Sequence, residues 1–287
     1  VFPRVAAAVP IRIPLEPPAA PYLRDHRFNG RPVLPAVEAM ELLAAGVAAE
    51  APSIDRLQIR EARFDKFLPL DNAAAISLWC ELETEDDGVV AALRSKRRGK
   101  HGIARRLTHA EMRFGGADAG PGRVAKQGAG STDAPLPPSP ERIYTDLVPF
   151  GASYRNLSAI TRFEREGIRA KIAAPAIKGP FHLGSPFVLD AAFHAACVWG
   201  QRYAGVVAFP VGFDRRRILR PCEAGRSYET TIRVRDETPP LLIFDIAIDN
   251  RGEICEVVTG VRMRDVSGGR LKPPNWISAG ADSGAGV

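Results

Sequence analysis

Two positions in this chain carry side chains suited to moving protons. His26 stands in Asp25-His26-Arg27-Phe28-Asn29-Gly30-Arg31-Pro32-Val33-Leu34-Pro35, a short polar loop that ends at a proline opening an apolar helix. A neutral imidazole in such a loop is a candidate general base. Asp190 stands in Pro186-Phe187-Val188-Leu189-Asp190-Ala191-Ala192-Phe193-His194, where a carboxyl is set in a strongly apolar run and a second histidine follows on the same helical face. Apolar surroundings favour the protonated carboxyl, which makes Asp190 a candidate acid, with His194 placed to orient it. Each residue also has a plainer reading: His26 as a surface histidine capping a turn, Asp190 as the N-cap of an Ala-rich helix, His194 as a satisfied core histidine. A base candidate and an acid candidate in one chain favour acid/base chemistry over those readings.

The elements that must hold these groups follow from the apolar pattern. Pro35 suits a first helical position, and 36–50 is apolar enough to predict a largely buried helix; 186–203 predicts a second one. Around the first helix, 9–15, 54–64, 73–83, 88–94 and 103–114 read as strands. In the second half, 141–147 is a short helical segment, 157–164 and 167–173 a hairpin, and 211–219, 227–235, 241–249 and 254–263 are strands. The same order in both halves predicts an α+β chain in which a sheet wraps around a helix, twice. Between the halves, Gly115 to Pro140 holds almost no side chain able to offset the entropy of ordering its backbone. The expected division is 1–115, a Gly/Pro-rich linker at 116–138, a second unit at 139–270 and a flexible tail at 271–287.

At 287 residues the chain can bury a sizeable core in two such units. Its formal charge of +6 is clustered in Arg94 to Arg106 and in Arg215-Arg216-Arg217. A solvated surface is the first reading of these clusters and an acidic protein partner the second; nucleic acid ranks below both, because no aromatics interleave with the arginines. Cys80, Cys197, Cys222 and Cys255 are far apart, form no C-x-x-C pair, and read as buried thiols of a reducing, cytoplasmic compartment. His101, His109 and His182 are scattered, so no metal site is expected. No stretch is long enough to span a membrane. The opening Val-Phe-Pro-Arg is not a signal peptide, and with the Gly/Ser/Ala tail after Trp276 it suggests a region cut from a longer polypeptide.

His26-x3-Gly30-x4-Pro35 and Asp190-x3-His194 together resemble the two signature motifs of the dehydratase domains of modular polyketide synthases and related multienzyme fatty-acid synthases, over roughly residues 8 to 268. The resemblance implies a double hotdog, two antiparallel sheets each wrapped around a central helix, with one active site between the halves. It implies removal of water from a β-hydroxyacyl thioester, His26 taking the α-proton and Asp190 protonating the departing hydroxyl. A peptide N–H near Gly30 or Arg31 would bond the thioester carbonyl, and the helix opening at Pro35 would add its field. No cofactor of its own is implied. The substrate would arrive on the phosphopantetheine of an acidic acyl carrier protein, which the arginine patches suit, and neighbouring synthase domains would be partners; a homodimer is left open.

Three departures from the pattern concern substrate shape. Phe150-Gly151-Ala152-Ser153-Tyr154 stands where such domains have Tyr-Gly-Pro-x-Phe, so the hydroxyl is missing at 150 and Tyr154 is offered either to the cleft or to the core. Ser185-Pro186 stands in place of His-Pro, and Ala36 in place of a glycine. Two alternatives remain: an aldol cyclase of the product-template type on the same fold, with double-bond-shifting relatives beside it, and a non-catalytic acyl-binding or docking module.

Overall fold

The structure, a computed structural model, describes residues 10–71, 76–98, 104–116 and 136–278. The first half runs β1 (Ile11–Leu15), β2 (Arg27–Phe28), β3 (Arg31–Pro32), α1 (Ala36–Glu50), β4 (Gln58–Phe64), β5 (Ser77–Glu85), β6 (Gly88–Arg98) and β7 (Ala104–Phe114). The second runs α2 (Pro140–Arg142), β8 (Leu157–Glu164), β9 (Gly167–Ala173), α3 (Pro186–Trp199), β10 (Phe209–Ile218), β11 (Ser227–Asp236), β12 (Leu241–Asn250), β13 (Glu253–Arg264) and α4 (Asn275–Ser278).

Side-chain alternation builds the sheet and its absence builds the two central helices. In β9, Ile168, Ala170 and Ile172 are buried while Arg169 and Lys171 face water, the period of two that a half-buried strand requires. In α3 every residue is buried, as expected of a helix apolar all round and enclosed by sheet. Both helices pack against strands of their own half and against each other.

The predicted pair of sheets is joined. The strand order is β1-β5-β6-β7-β4-β10-β13-β12-β11-β9-β8, one antiparallel sheet of eleven strands among the described residues, because β4 and β10 pair edge to edge from Arg63↔Gly212 to Gln58↔Arg217. This is the double-hotdog arrangement, with its two halves fused along one seam.

Several boundaries move for local reasons. β4 begins at Gln58 and not at 54, because the Asp55 carboxylate accepts from the Leu57 N–H and the Gln58 side chain and turns the chain before the strand. Pro35 is the N-cap of α1 and not its first helical residue: its φ/ψ of −61°/151° is extended, and its carbonyl accepts from Ala39 N–H. After Trp199 the helix loosens into a π turn, Gly200–Ala204, and stops at Gly205 in the left-handed conformation. The expected flexible tail at 271–287 is ordered at its start. Ile277 of α4 is buried, Arg142 lies 3.6 Å over the Trp276 ring, and Arg202 donates to the Ile277 carbonyl. Of the expected linker at 116–138, residues 117–135 lie outside the described residues.

Candidate active site

His26 ends a short 3-10 helix, Pro21–Asp25, and is clamped by the hairpin that follows it. The hairpin turns on Asn29 and Gly30, both with positive φ (49° and 76°), the conformation that favours Asn-Gly in a two-residue turn. A Cβ on Gly30 would meet no protein atom within 4 Å, so within the molecule it is the positive φ of the turn that requires the glycine. The turn brings Val33 back to His26: Val33 N–H donates to the His26 carbonyl (3.0 Å), and the Val33 carbonyl lies 3.1 Å from His26 Nδ1. Nδ1 therefore carries the proton, and Nε2 is left with a lone pair. Burial pushes the imidazole pKa down to about 4, with Asp190 opposing the shift and His194 adding to it.

Asp190 is not an N-cap. Ser185 holds that position, and Asp190 lies one turn into α3, only 5% exposed. His194, 4% exposed, follows one turn later with Nε2 2.9 Å from Asp190 Oδ2, although neither atom has the angular alignment of a hydrogen bond. The other ring nitrogen, Nδ1, is 3.4 Å from the Tyr144 hydroxyl, which also accepts from Leu157 N–H (2.8 Å).

A cavity of about 1060 Å³ joins these groups; its wall includes His26 and Gly30 from the first half and Phe150, Asp190 and His194 from the second. Phe150 stacks on the His26 ring at 4.3 Å and stands 5.0 Å from the His194 ring, so the position lacking a hydroxyl supplies an apolar cover to the imidazole. Arg31, Pro35 and Tyr154 are not part of the wall. The Arg31 guanidinium is held by Asp71 through two bonds (2.7 and 3.0 Å), and Pro35 is the cap described above. Tyr154 takes the core alternative: fully buried, it packs edge-on behind His26 at 5.2 Å, and its hydroxyl has no hydrogen-bond partner among the described residues.

Three groups that the motifs did not single out shape the site. The Asp25 carboxylate accepts from both the N–H and the hydroxyl of Ser153 (3.0 and 2.7 Å), tying the His26 segment to the Phe150 segment, and these bonds hold its pKa below the ordinary value. A Cβ on Gly151 would collide with Asp25, which explains the glycine there. On α1, the Glu41 carboxylate accepts from His182 and Leu183 N–H, anchoring the loop before α3. Glu38 is buried beside it, hydrogen-bonded to Tyr22, with Oε1 unpartnered. Burial pushes both glutamates up to about 7. A charged residue on the apolar face of a helix was the available signal for all but Asp25.

Three arginines of the two clusters are paired within the molecule, while residues 99–103 of the first cluster lie outside the described residues. Arg216 is buried and paired with Glu256 through two bonds (2.8 and 3.1 Å), so Arg215 to Arg217 is not a continuous surface patch. Arg94 and Arg106 both meet Glu81. All four cysteines are free and buried, and no described helix is long and apolar enough to cross a membrane.

Comparison with known proteins agrees with this geometry. Residues 129–273 match the polyketide synthase dehydratase N-terminal domain family, and residues 9–95 match the polyketide synthase dehydratase domain family. No curated protein sequence matches. Among solved structures, the dehydratase domain of RzxB from Pseudomonas fluorescens is similar at a TM-score of 0.69 with 20% identity, over 88% of this chain and 93% of that one. The dehydratase domain of PpsC from Mycobacterium tuberculosis, in complex with C12:1-CoA, aligns at 0.65 with 18% identity over 90% and 97%. A trans-acyltransferase polyketide synthase enoyl-isomerase aligns at 0.63 with 16% identity over 89% and 100%. With a family match covering half its length, and a fold that brings His26 and Asp190 to one cavity, this chain belongs to the polyketide synthase dehydratase domains.

Proposed function

We propose that the chain dehydrates a β-hydroxyacyl thioester to the α,β-unsaturated thioester, with His26 as base and Asp190 as acid. The observation that carries this reading is the shared cavity: a histidine from one half and an aspartate from the other line the same space. His26 Nε2, free because Nδ1 donates to the Val33 carbonyl, takes the α-proton. The electron pair of that C–H bond becomes the new double bond as the β-carbon–oxygen bond breaks. Asp190 gives its proton to the departing oxygen, which leaves as water. The step ends with His26 protonated and Asp190 ionised, and transfer of one proton from the imidazolium to the carboxylate resets the pair. The low basicity of His26 keeps it neutral at neutral pH, and the anion formed on Asp190 favours the imidazolium as the reaction proceeds.

The substrate is carried on the phosphopantetheine of an acyl carrier protein, as suits a domain of a multidomain synthase; the M. tuberculosis relative holds a thioester, C12:1-CoA. The test is water loss from, and hydration onto, pantetheine- and carrier-bound acyl chains, followed by mass spectrometry with wild type, His26→Ala and Asp190→Asn after circular dichroism shows all three folded. Both variants are expected to lose activity by about 100-fold or more. Full activity in Asp190→Asn overturns the assignment of the acid. Double-bond migration without water loss would assign the isomerase reaction, and cyclisation of a poly-β-ketone the cyclase one.

A further inference from the structure

Helix α3 does more than present Asp190. Asp190, Phe193, His194, Cys197 and Gln201 all line the cavity, and their spacing places them in one stripe along the helix and the π turn that continues it. At a rise of 1.5 Å per residue, the stripe from Asp190 to Gln201 is about 16 Å long. Beyond Asp190 and His194 the wall is mainly apolar and buried at Phe193, Cys197, Leu147, Val148, Val207 and Ala208, with Gln201 and the exposed Asp146 at its far end. At the far end, Gln201 is buried and its amide is fixed, donating to the Leu147 carbonyl (3.0 Å) and approaching Cys197 Sγ (3.5 Å).

Another part of the wall, around Phe209, is different. Asn29, Gly30, Lys66, Phe67 and Arg264 line the cavity and face water. A charged, hydrated carrier arm enters where residues are exposed and cationic, and an apolar tail goes where they are buried and apolar. Resting on the function proposed above, we infer that the acyl chain lies along the α3 stripe with Cys197 and Gln201 at its end, and that this site selects long, unsubstituted acyl chains. A fully extended chain advances about 1.2 Å per bond, so the stripe admits a substrate of roughly a dozen carbons. Hydroxyl or keto groups on the segment passing Phe193 and Cys197 meet no hydrogen-bond partner there and are disfavoured.

The experiment is a length series of β-hydroxyacyl pantetheine thioesters from about four to about sixteen carbons, a range set by the same reach per bond. For the wild-type chain, kcat/KM is expected to rise about two- to fourfold per methylene up to about twelve carbons and to fall beyond that. Cys197→Leu and, separately, Ala208→Leu should move the optimum to shorter chains and lower the ratio of long-chain to short-chain kcat/KM by about tenfold or more. A wild-type profile that is flat or peaks at four carbons overturns the inference, whatever the variants do. Calorimetry with non-reacting thioether analogues of the same lengths separates this reading from the proposed reaction. Affinity that grows with length to the same limit supports the stripe even if no water is lost from any substrate, and length-independent affinity overturns it even if every substrate reacts.

Discussion

At the residue scale the decisive property for the proposed reaction is how weakly basic the His26 imidazole is in the free chain. Its Nδ1 proton is committed to the Val33 carbonyl, its ring is covered by Phe150, and burial lowers its pKa from 6.5 to about 4. Two consequences share one sign. The acidic limb of kcat/KM, which reports the free enzyme, is expected near pH 4. An unperturbed histidine would cost about tenfold at a pH one unit below 6.5, where this chain should remain near its plateau. Stability linked to His26 is present above 6.5 and is lost as pH falls toward 4, because the unfolded chain binds a proton there that the folded chain refuses. A pH–rate profile on a pantetheine substrate, with stability followed in parallel, checks both; an acidic limb at 6.5 would show that the imidazole is not desolvated in solution. His26, Asp190 and His194 were legible because each motif is local in sequence. Asp25 was not, since its bonds to Ser153 span 128 positions and nothing in either segment names the other. Tyr154 was ambiguous for the same reason: whether its ring faces cleft or core depends on what packs behind it, here Phe187 and Tyr22.

At the scale of elements, apolar runs and period-two alternation revealed both central helices and all the principal strands, and boundaries failed where a side chain or a cap redirected the chain, as at Asp55 and Pro35. The pattern could not show the role of the two carboxyls on α1. Glu41 is compensated by two backbone N–H groups, whereas Glu38 has only Tyr22 and leaves one oxygen bare. A carboxyl raised from 4.5 to about 7 keeps its proton in the folded state between those values, so its contribution to stability is present below pH 4.5 and lost as pH rises through 7. The sign is opposite to that of His26. Glu38→Gln keeps the acceptor for Tyr22 and cannot ionise. It is expected to stabilise the chain at pH above 7 by up to about 3 kcal/mol, with the gain vanishing near pH 4. Urea unfolding at both pH values is the measurement, and an equal effect at both would mean that Glu38 titrates in the fold as it does in the unfolded chain.

At the scale of the whole molecule, the two halves form one object because β4 and β10 close the sheet, and the proposed chemistry depends on that closure since His26 and Asp190 come from opposite sides of it. The sequence could not disclose the seam: β4 and β10 each read as an ordinary strand, and edge pairing across the halves leaves no periodic trace. Nor could it tell which arginines meet a partner inside. Arg216, counted with a surface cluster, lies under the seam against Glu256 and Met40, where loss of one partner would leave a buried charge uncompensated. What the seam requires of the sequence is Gly212, in β10 opposite Arg63. A Cβ there would drive into the Ala62 carbonyl oxygen of β4, which is backbone and cannot swing aside. Gly212→Ala must therefore push the two strands apart at the place where the halves join. It is expected to cost about 1–3 kcal/mol, as overpacking does, and to lower kcat/KM by more than the unfolded fraction explains, because His26 and Asp190 are displaced relative to each other even in molecules that remain folded. Thermal unfolding and kcat/KM on the same preparation separate the two effects. Unchanged activity alongside a lowered melting temperature would mean that the Asp25–Ser153 contact alone holds the catalytic pair in register, and unchanged values of both would remove the seam from the account of how the site is assembled.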